Sequence, residues 1–182
     1  MSLNKLTCPF PSNINPLSSG GFKLSIQKAP DVDFWCNEAN LPGMSIGVAT
    51  QSTPFAMIQQ PGDMIVYDTL NVQFMIDSEM KNYKSLWFWM YGLGFPESYD
   101  NFNDLVGSSA NEVLNANATG DRTVSDGSLI VLNNSFVPVK TIQFIDMWPS
   151  NLNSIQLSAN NSDVVYMMGN ATFNFTYWKF AE

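Results

Sequence analysis

The commonest general base is missing, because the 182-residue chain contains no histidine. That removes the Ser-His-Asp and Cys-His arrangements and every histidine-dependent zinc site. Paired carboxylates are the remaining catalytic device: Asp31 with Asp33, Asp63 with Asp68, and Asp77 with Glu79. A glycosidase needs two of them facing across a cleft, with one pKa raised by burial. Here Asp31 and Asp33 fall at a predicted turn and Asp77 caps a predicted helix, so structural roles account for them better. Cys8 and Cys36, the only cysteines, are too few for a four-thiolate site. The opening run MSLNKLTCPFPSN lacks the apolar core of a signal peptide, so both thiols read as reduced and nothing supports a disulfide between them. Ser18-Ser19-Gly20-Gly21 precedes a strand pattern rather than a helix, which is wrong for a phosphate-cradling loop. No catalytic, metal-binding or cofactor-binding residue is assigned, and the expectation is a protein that is not an enzyme. Trp87, Phe88, Trp89 and Tyr91 could stack on bases or sugars, but on a helix that must cover a sheet their expected role is packing. Phe88 and Trp89 cannot share the face of Trp87, so at least one of them should meet a subunit or a second layer of core.

The elements that would position these residues read as mainly β. Residues 1–20 are rich in Pro, Ser and Asn and form an amino-terminal arm; residues 21–182 form one domain. Phe22, Leu24 and Ile26 alternate with Lys23, Ser25 and Gln27, predicting a half-buried strand. Ala29-Pro30-Asp31 then predicts a turn into a second strand, Val32 to Asn37, the two making a hairpin. Leu41-Pro42-Gly43 breaks the ladder, and Met44 to Ile58 reads as an irregular or extended excursion. Ile65 to Ile76 is the clearest strand, followed by one amphipathic helix over Ser78 to Tyr91 with Met80, Tyr83, Trp87, Met90 and Tyr91 on its buried face. Trp87→Ala should then cost about 3–5 kcal/mol if that ring is fully buried. Residues 95–127 form a polar acidic insertion in which Asn103 to Leu114 could hold a short helix. Strands are predicted again at Leu129–Leu132, Val139–Asp146, Ile155–Ser158 and Ala171–Phe180.

Composition narrows the class further. Hydrophobic residues make up 45% of the chain, ample for a core, and no apolar stretch is long enough to span a membrane. Only 13% of residues are charged, about half the usual share. A surface of neutral amides and hydroxyls suits faces buried against neighbours, since an amide costs less to desolvate than an ion; a compositional habit of the source accounts for it equally well. The net charge of −8, with seven lysines and the single Arg122, offers no cluster for holding a phosphate backbone. It fits either simple solubility or a surface past which nucleic acid slides without sticking.

The runs GFKLSIQ, FWCNEANLPG and PGDMIVYDTLNVQFMIDSEMKNYKSLWFWM resemble the amino-terminal half of the tail tube proteins of contractile-tailed bacteriophages of the T4 type. VPVKTIQFIDMWPSNLNSIQLSANNSDVVYMMGNATFNFTYW resembles their carboxy-terminal half. The resemblance spans residues 20–94 and 129–180 and is shared by related baseplate proteins that start the tube, which are usually longer. It implies a β-sandwich or partial barrel of antiparallel strands with one flanking α-helix, assembling into a continuous barrel across subunits of stacked hexameric rings. The implied function is a structural tail tube subunit forming the DNA conduit. A baseplate tube initiator or the tube of a related injection system is the alternative, and a carbohydrate-binding or carbohydrate-cleaving tail module is a remote one. The implied partners are further copies of the chain, sheath and baseplate proteins, and viral DNA passing without tight binding, in a virion tail assembled in the host cytoplasm. Expected interface residues are Leu41, Pro42, Gly43, Gln51, Phe55, Met57 and Met64. Asn71 and Gln73 are expected to face the lumen.

Overall fold

The structure, a computed structural model, describes residues 16–17, 20–94, 96–107, 123–158 and 166–181. Nine strands and three helices follow one another along them. They are β1 (Phe22–Ile26), α1 (Pro30–Trp35), β2 (Cys36–Ala39), β3 (Met44–Ser52), β4 (Met57–Tyr67), β5 (Leu70–Met75), α2 (Lys81–Gly94), α3 (Asp100–Gly107), β6 (Ser125–Leu132), β7 (Pro138–Leu152), β8 (Met168–Asn174) and β9 (Tyr177–Ala181). All pairings are antiparallel. The main sheet runs β1-β6-β7-β8-β5-β2, with β9 also on β7.

The long strand β7 makes this a sandwich. Its first part lies between β6 and β9, and its last part, Trp148–Leu152, pairs with β8. The bend falls at Asp146, whose φ of 53° lies in the left-handed region and whose carboxylate accepts from the Thr176 hydroxyl at 3.4 Å. A strand that changes sheets at a bend or bulge is how a sandwich makes its corner. Leu24, Ile26, Leu129, Ile142 and Phe144 from one layer join Leu70, Val72, Phe74, Ala171 and Phe173 from the other in one buried cluster. The alternation expected for β1 and β5 is therefore present, and the mainly β antiparallel sandwich is the observed fold, with no closed barrel among the described residues.

Four local expectations are corrected. Val32 to Asn37 is not the second strand of a hairpin: β1 pairs with β6. Pro30 at the first helical turn, followed by Asp31 and Asp33, starts a short helix there instead. Phe34, which the alternation placed in a strand, is 81% exposed. Ile155–Ser158 carries no strand. Besides the long flanking helix α2 there are the short α1 and α3, and α3 overlaps the short helix expected from Asn103 within the acidic stretch, of which 95 and 108–122 lie outside the described residues. Met44 to Ile58 belongs to a regular hairpin, β3 with β4.

The fourth correction concerns which face of α2 is buried. Its buried residues are Asn82, Leu86, Trp89 and Gly92, whereas Trp87 is 46% exposed and stacks on Tyr91 with ring centroids 4.6 Å apart. Asn82 fixes the choice. Its amide donates to the Met75 carbonyl at 2.7 Å, and its Oδ1 accepts from the N–H groups of Asp77 and Tyr83. A buried asparagine that satisfies the end of β5 and the first turn of the helix replaces an apolar residue on the inner stripe. Gly92 serves close packing, because a Cβ there would sit 2.6 Å from the Leu105 Cβ. Gly92→Ala should push α3 off α2 and lower stability by about 1–3 kcal/mol in chemical unfolding.

Candidate assembly surfaces

The carboxylate pairs do not converge. Asp31 is exposed, and Asp33 accepts from the Ile26 N–H at 2.8 Å, tying α1 to the end of β1. Glu79 pairs with Lys81 at the surface, and Asp77 accepts from the Ser78 N–H at 2.8 Å. Asp63 and Asp68 are both exposed at the β3–β4 hairpin and its root. The Cys36 thiol is pushed up to about 11 by burial, which makes it a poor nucleophile; Cys8 lies outside the described residues. Among the described residues no group of three His, Cys, Asp or Glu could hold a metal.

Burial pushes the Asp33 carboxyl up from 3.8 to about 6. The folded chain therefore binds this proton more tightly than the unfolded chain does, and stability falls as pH rises from about 4 to about 6. The half-exposed position screens the effect, so Asp33→Asn should gain about 1 kcal/mol at pH 7. That gain should vanish below pH 4, as read from urea unfolding at the two pH values.

Among the described residues, two surfaces have nothing packed against them. The first is the β3–β4 hairpin, a separate two-stranded sheet in which every residue of β3 is exposed. Residues paired in register share a face. One face therefore holds Met44 with Tyr67, Ile46 with Ile65 and Val48 with Pro61, then the polar pair Thr50 with Gln59, and Ser52 with Met57 near the tip. This apolar stripe begins on the body, where Tyr67 meets Phe175 and Trp178 at 6.0 and 6.3 Å, and runs outward to Phe55, which is 99% exposed. An isolated two-stranded hairpin is marginal in water. This one also exposes an apolar stripe and, among the described residues, both of its strand edges, features that natural proteins usually cover.

Six of the seven expected interface residues, Leu41, Gly43, Gln51, Phe55, Met57 and Met64, are exposed at this hairpin or its root; Pro42 is buried. Gly43 accepts from the Asp68 N–H at 3.0 Å, which closes the root, and Gln51 accepts from Gln60 at 3.3 Å. Met44, Ile46, Val48 and Ile65 are exposed on the apolar face as well and were not among the expected residues, while Ile58 and Val66 are exposed on the opposite face. The signal was present in the alternation of Met44, Ile46 and Val48, which reads like any strand with a covered face.

The second surface is the outer face of the sheet β7-β8-β5-β2, where Asn71 is exposed and Gln73 half-buried. Register lines up two rows across four strands. One is Glu38, Gln73, Asn170 and Asn153; the other is Asn40, Asn71, Thr172 and Asn151. Part of the second row is linked: Asn40 Oδ1 accepts from the Asn71 N–H at 2.6 Å, and Asn71 Oδ1 from the Thr172 hydroxyl at 3.0 Å. All of these except Asn151 line a groove of about 270 Å³. The rows hold a single carboxylate, Glu38, and no Lys or Arg, so they offer hydrogen bonds without a field that would grip a polyanion.

Among the described residues, amides line up on one sheet face, an apolar hairpin is exposed, and the carboxylate pairs do not converge. The chain belongs to the phage tail tube protein family, whose model matches residues 4–181. It is similar to the tail tube terminator protein of Enterobacteria phage T4, 28% identical over 166 residues, which cover 89% of this chain and 80% of that protein. Its fold is similar to a chain of the cryo-EM structure of the anti-feeding prophage baseplate. There the TM-score is 0.58 at 12% identity, covering 92% of this chain and 96% of that one. It is also similar to the sheath/tube terminator, in the extended state, of an extracellular contractile injection system. That TM-score is 0.56 at 11% identity, covering 92% of this chain and 98% of the other.

Proposed function

We propose that this chain forms a six-membered ring that ends the tail tube of a contractile phage tail. The observation that carries the assembly reading is the uncovered apolar β3–β4 hairpin, which reaches the neighbouring copy and is buried there. The free edges of the amide-bearing sheet, β2 and the last part of β7, join between copies, which removes edges that would otherwise aggregate. Joined in this way, the two rows of amides continue around the ring and line a lumen that viral DNA passes without tight binding. The likeness to the T4 terminator over 89% of the chain supports a place at the end of the tube. In that position sheath and baseplate or capping proteins are its other partners. Its work is structural and needs no catalysis.

The second reading is a subunit repeated along the whole tube, favoured by the family to which the chain belongs. A baseplate initiator is a variant of it, supported by the fold likeness to a baseplate chain. Gold-labelled antibody against the chain separates them on intact particles. A terminator gives one label at the end of the tail away from the baseplate, an initiator gives one at the baseplate, and a tube subunit gives label along an exposed tube. Label absent from tails would sink all three.

A further inference from the structure

We propose that the bulge in the middle of the β3–β4 hairpin aims its outer half at a second copy of this chain. The inference rests on the assembly reading above and adds what sets the angle of the contact. Pairing is regular on both sides of the bulge, with Ile46 opposite Ile65 and Val48 opposite Pro61. Between them the single residue Gly47 faces Gly62, Asp63 and Met64. The β4 strand thus carries two extra residues, which must bend it and increase its twist.

The bend is set by backbone contact. A Cβ on Gly62 would lie 2.7 Å from the Gly47 carbonyl oxygen and 2.9 Å from its carbon, so only glycine permits the approach. Pro61 beside it contributes no N–H to the ladder. An insertion of one residue would turn every later side chain to the opposite face. Two residues restore the phase, so Val48, Pro61 and Met57 stay on the side of Ile46, Ile65 and Tyr67. The bulge therefore alters the direction of the apolar stripe and leaves its polarity alone, as an aiming device must. The occupant is a second copy. The stripe is uncharged and continuous with the rim of Tyr67, Phe175 and Trp178, and that rim ends in a half-exposed, equally uncharged Phe180 edge-on to Trp178. Every copy carries this rim, so the arm of one can lie along the rim of the next.

Deleting Gly62 and Asp63 tests this, because the ladder then runs in one register while every apolar side chain keeps its face. The variant should keep its circular dichroism and melting temperature and need about tenfold or more protein to form rings in sedimentation. Gly62→Ala, of unchanged length, should move assembly in the same direction. Ring formation by both variants at the wild-type concentration would overturn the inference while leaving the assembly reading intact, provided that Ile46→Asp abolishes rings in parallel. Failure of the wild-type chain to form rings would overturn both.

Discussion

Trp89→Ala is expected to destabilise the chain by about 3–5 kcal/mol, and Trp87→Ala to change stability by less than about 1 kcal/mol. The two tryptophans lie two residues apart on the same helix, yet Trp89 is 3% exposed and Trp87 is 46% exposed. The Trp89 indole N–H donates to the Thr123 carbonyl at 2.8 Å, joining α2 to the approach of β6. Its ring lies 6.4 Å from that of Phe173 and beneath the Lys28 ammonium at 5.4 Å. Removing it opens a cavity between α2 and the sheet and takes away one hydrogen bond to the half-buried Thr123 carbonyl. Chemical unfolding of the two variants side by side is the check. Equal effects would mean that the helix is rotated from the position described.

The largest effect on assembly is expected from charge on the arm. Ile46→Asp with Met57→Asp should leave the melting temperature unchanged and abolish rings, as read by sedimentation and electron microscopy. The folded body does not need these side chains, since both are exposed in the single chain. Burial against a neighbour would force two carboxylates out of water without partners, at a cost of several kcal/mol each. The arm has one charge of its own, Asp63, so the substitutions change its character. Unfolding of the variant would instead place the arm in the core of its own subunit.

How far the sequence foretold this molecule depended on whether local pattern and tertiary contact agreed. In β1, β5 and β8 they agree, because apolar residues at period two face one core. In α2 they do not. The inner stripe includes Asn82 and Gly92, a capping amide and a close-packing glycine, and neither registers as apolar. The apolar periodicity therefore centred on Trp87, which is exposed, although Tyr83 at the edge of that face packs partly against the core. Val32 to Asn37 alternates like a strand, but Pro30 and two early acids favour a helix, and six residues are too few for periodicity to decide. The proposed assembly surface was legible only in part. The family likeness pointed to Leu41–Gly43 and to Gln51–Met64, while the strand alternation that makes 44–67 a single arm was interrupted by Gly47, Pro54 and the bulge. The pairing of amides into two rows depends on register between strands up to about a hundred residues apart, which no local pattern encodes.

In the proposed function the chain completes its structure by joining copies of itself. Cryo-electron microscopy of the purified chain, alone at high concentration and mixed with open tail tubes, tests it most directly. Closed six-membered rings are expected, with Asn71 and Gln73 toward the lumen and each arm covered by the next copy. Monomers under both conditions, or rings whose lumen is lined by lysines, would contradict it.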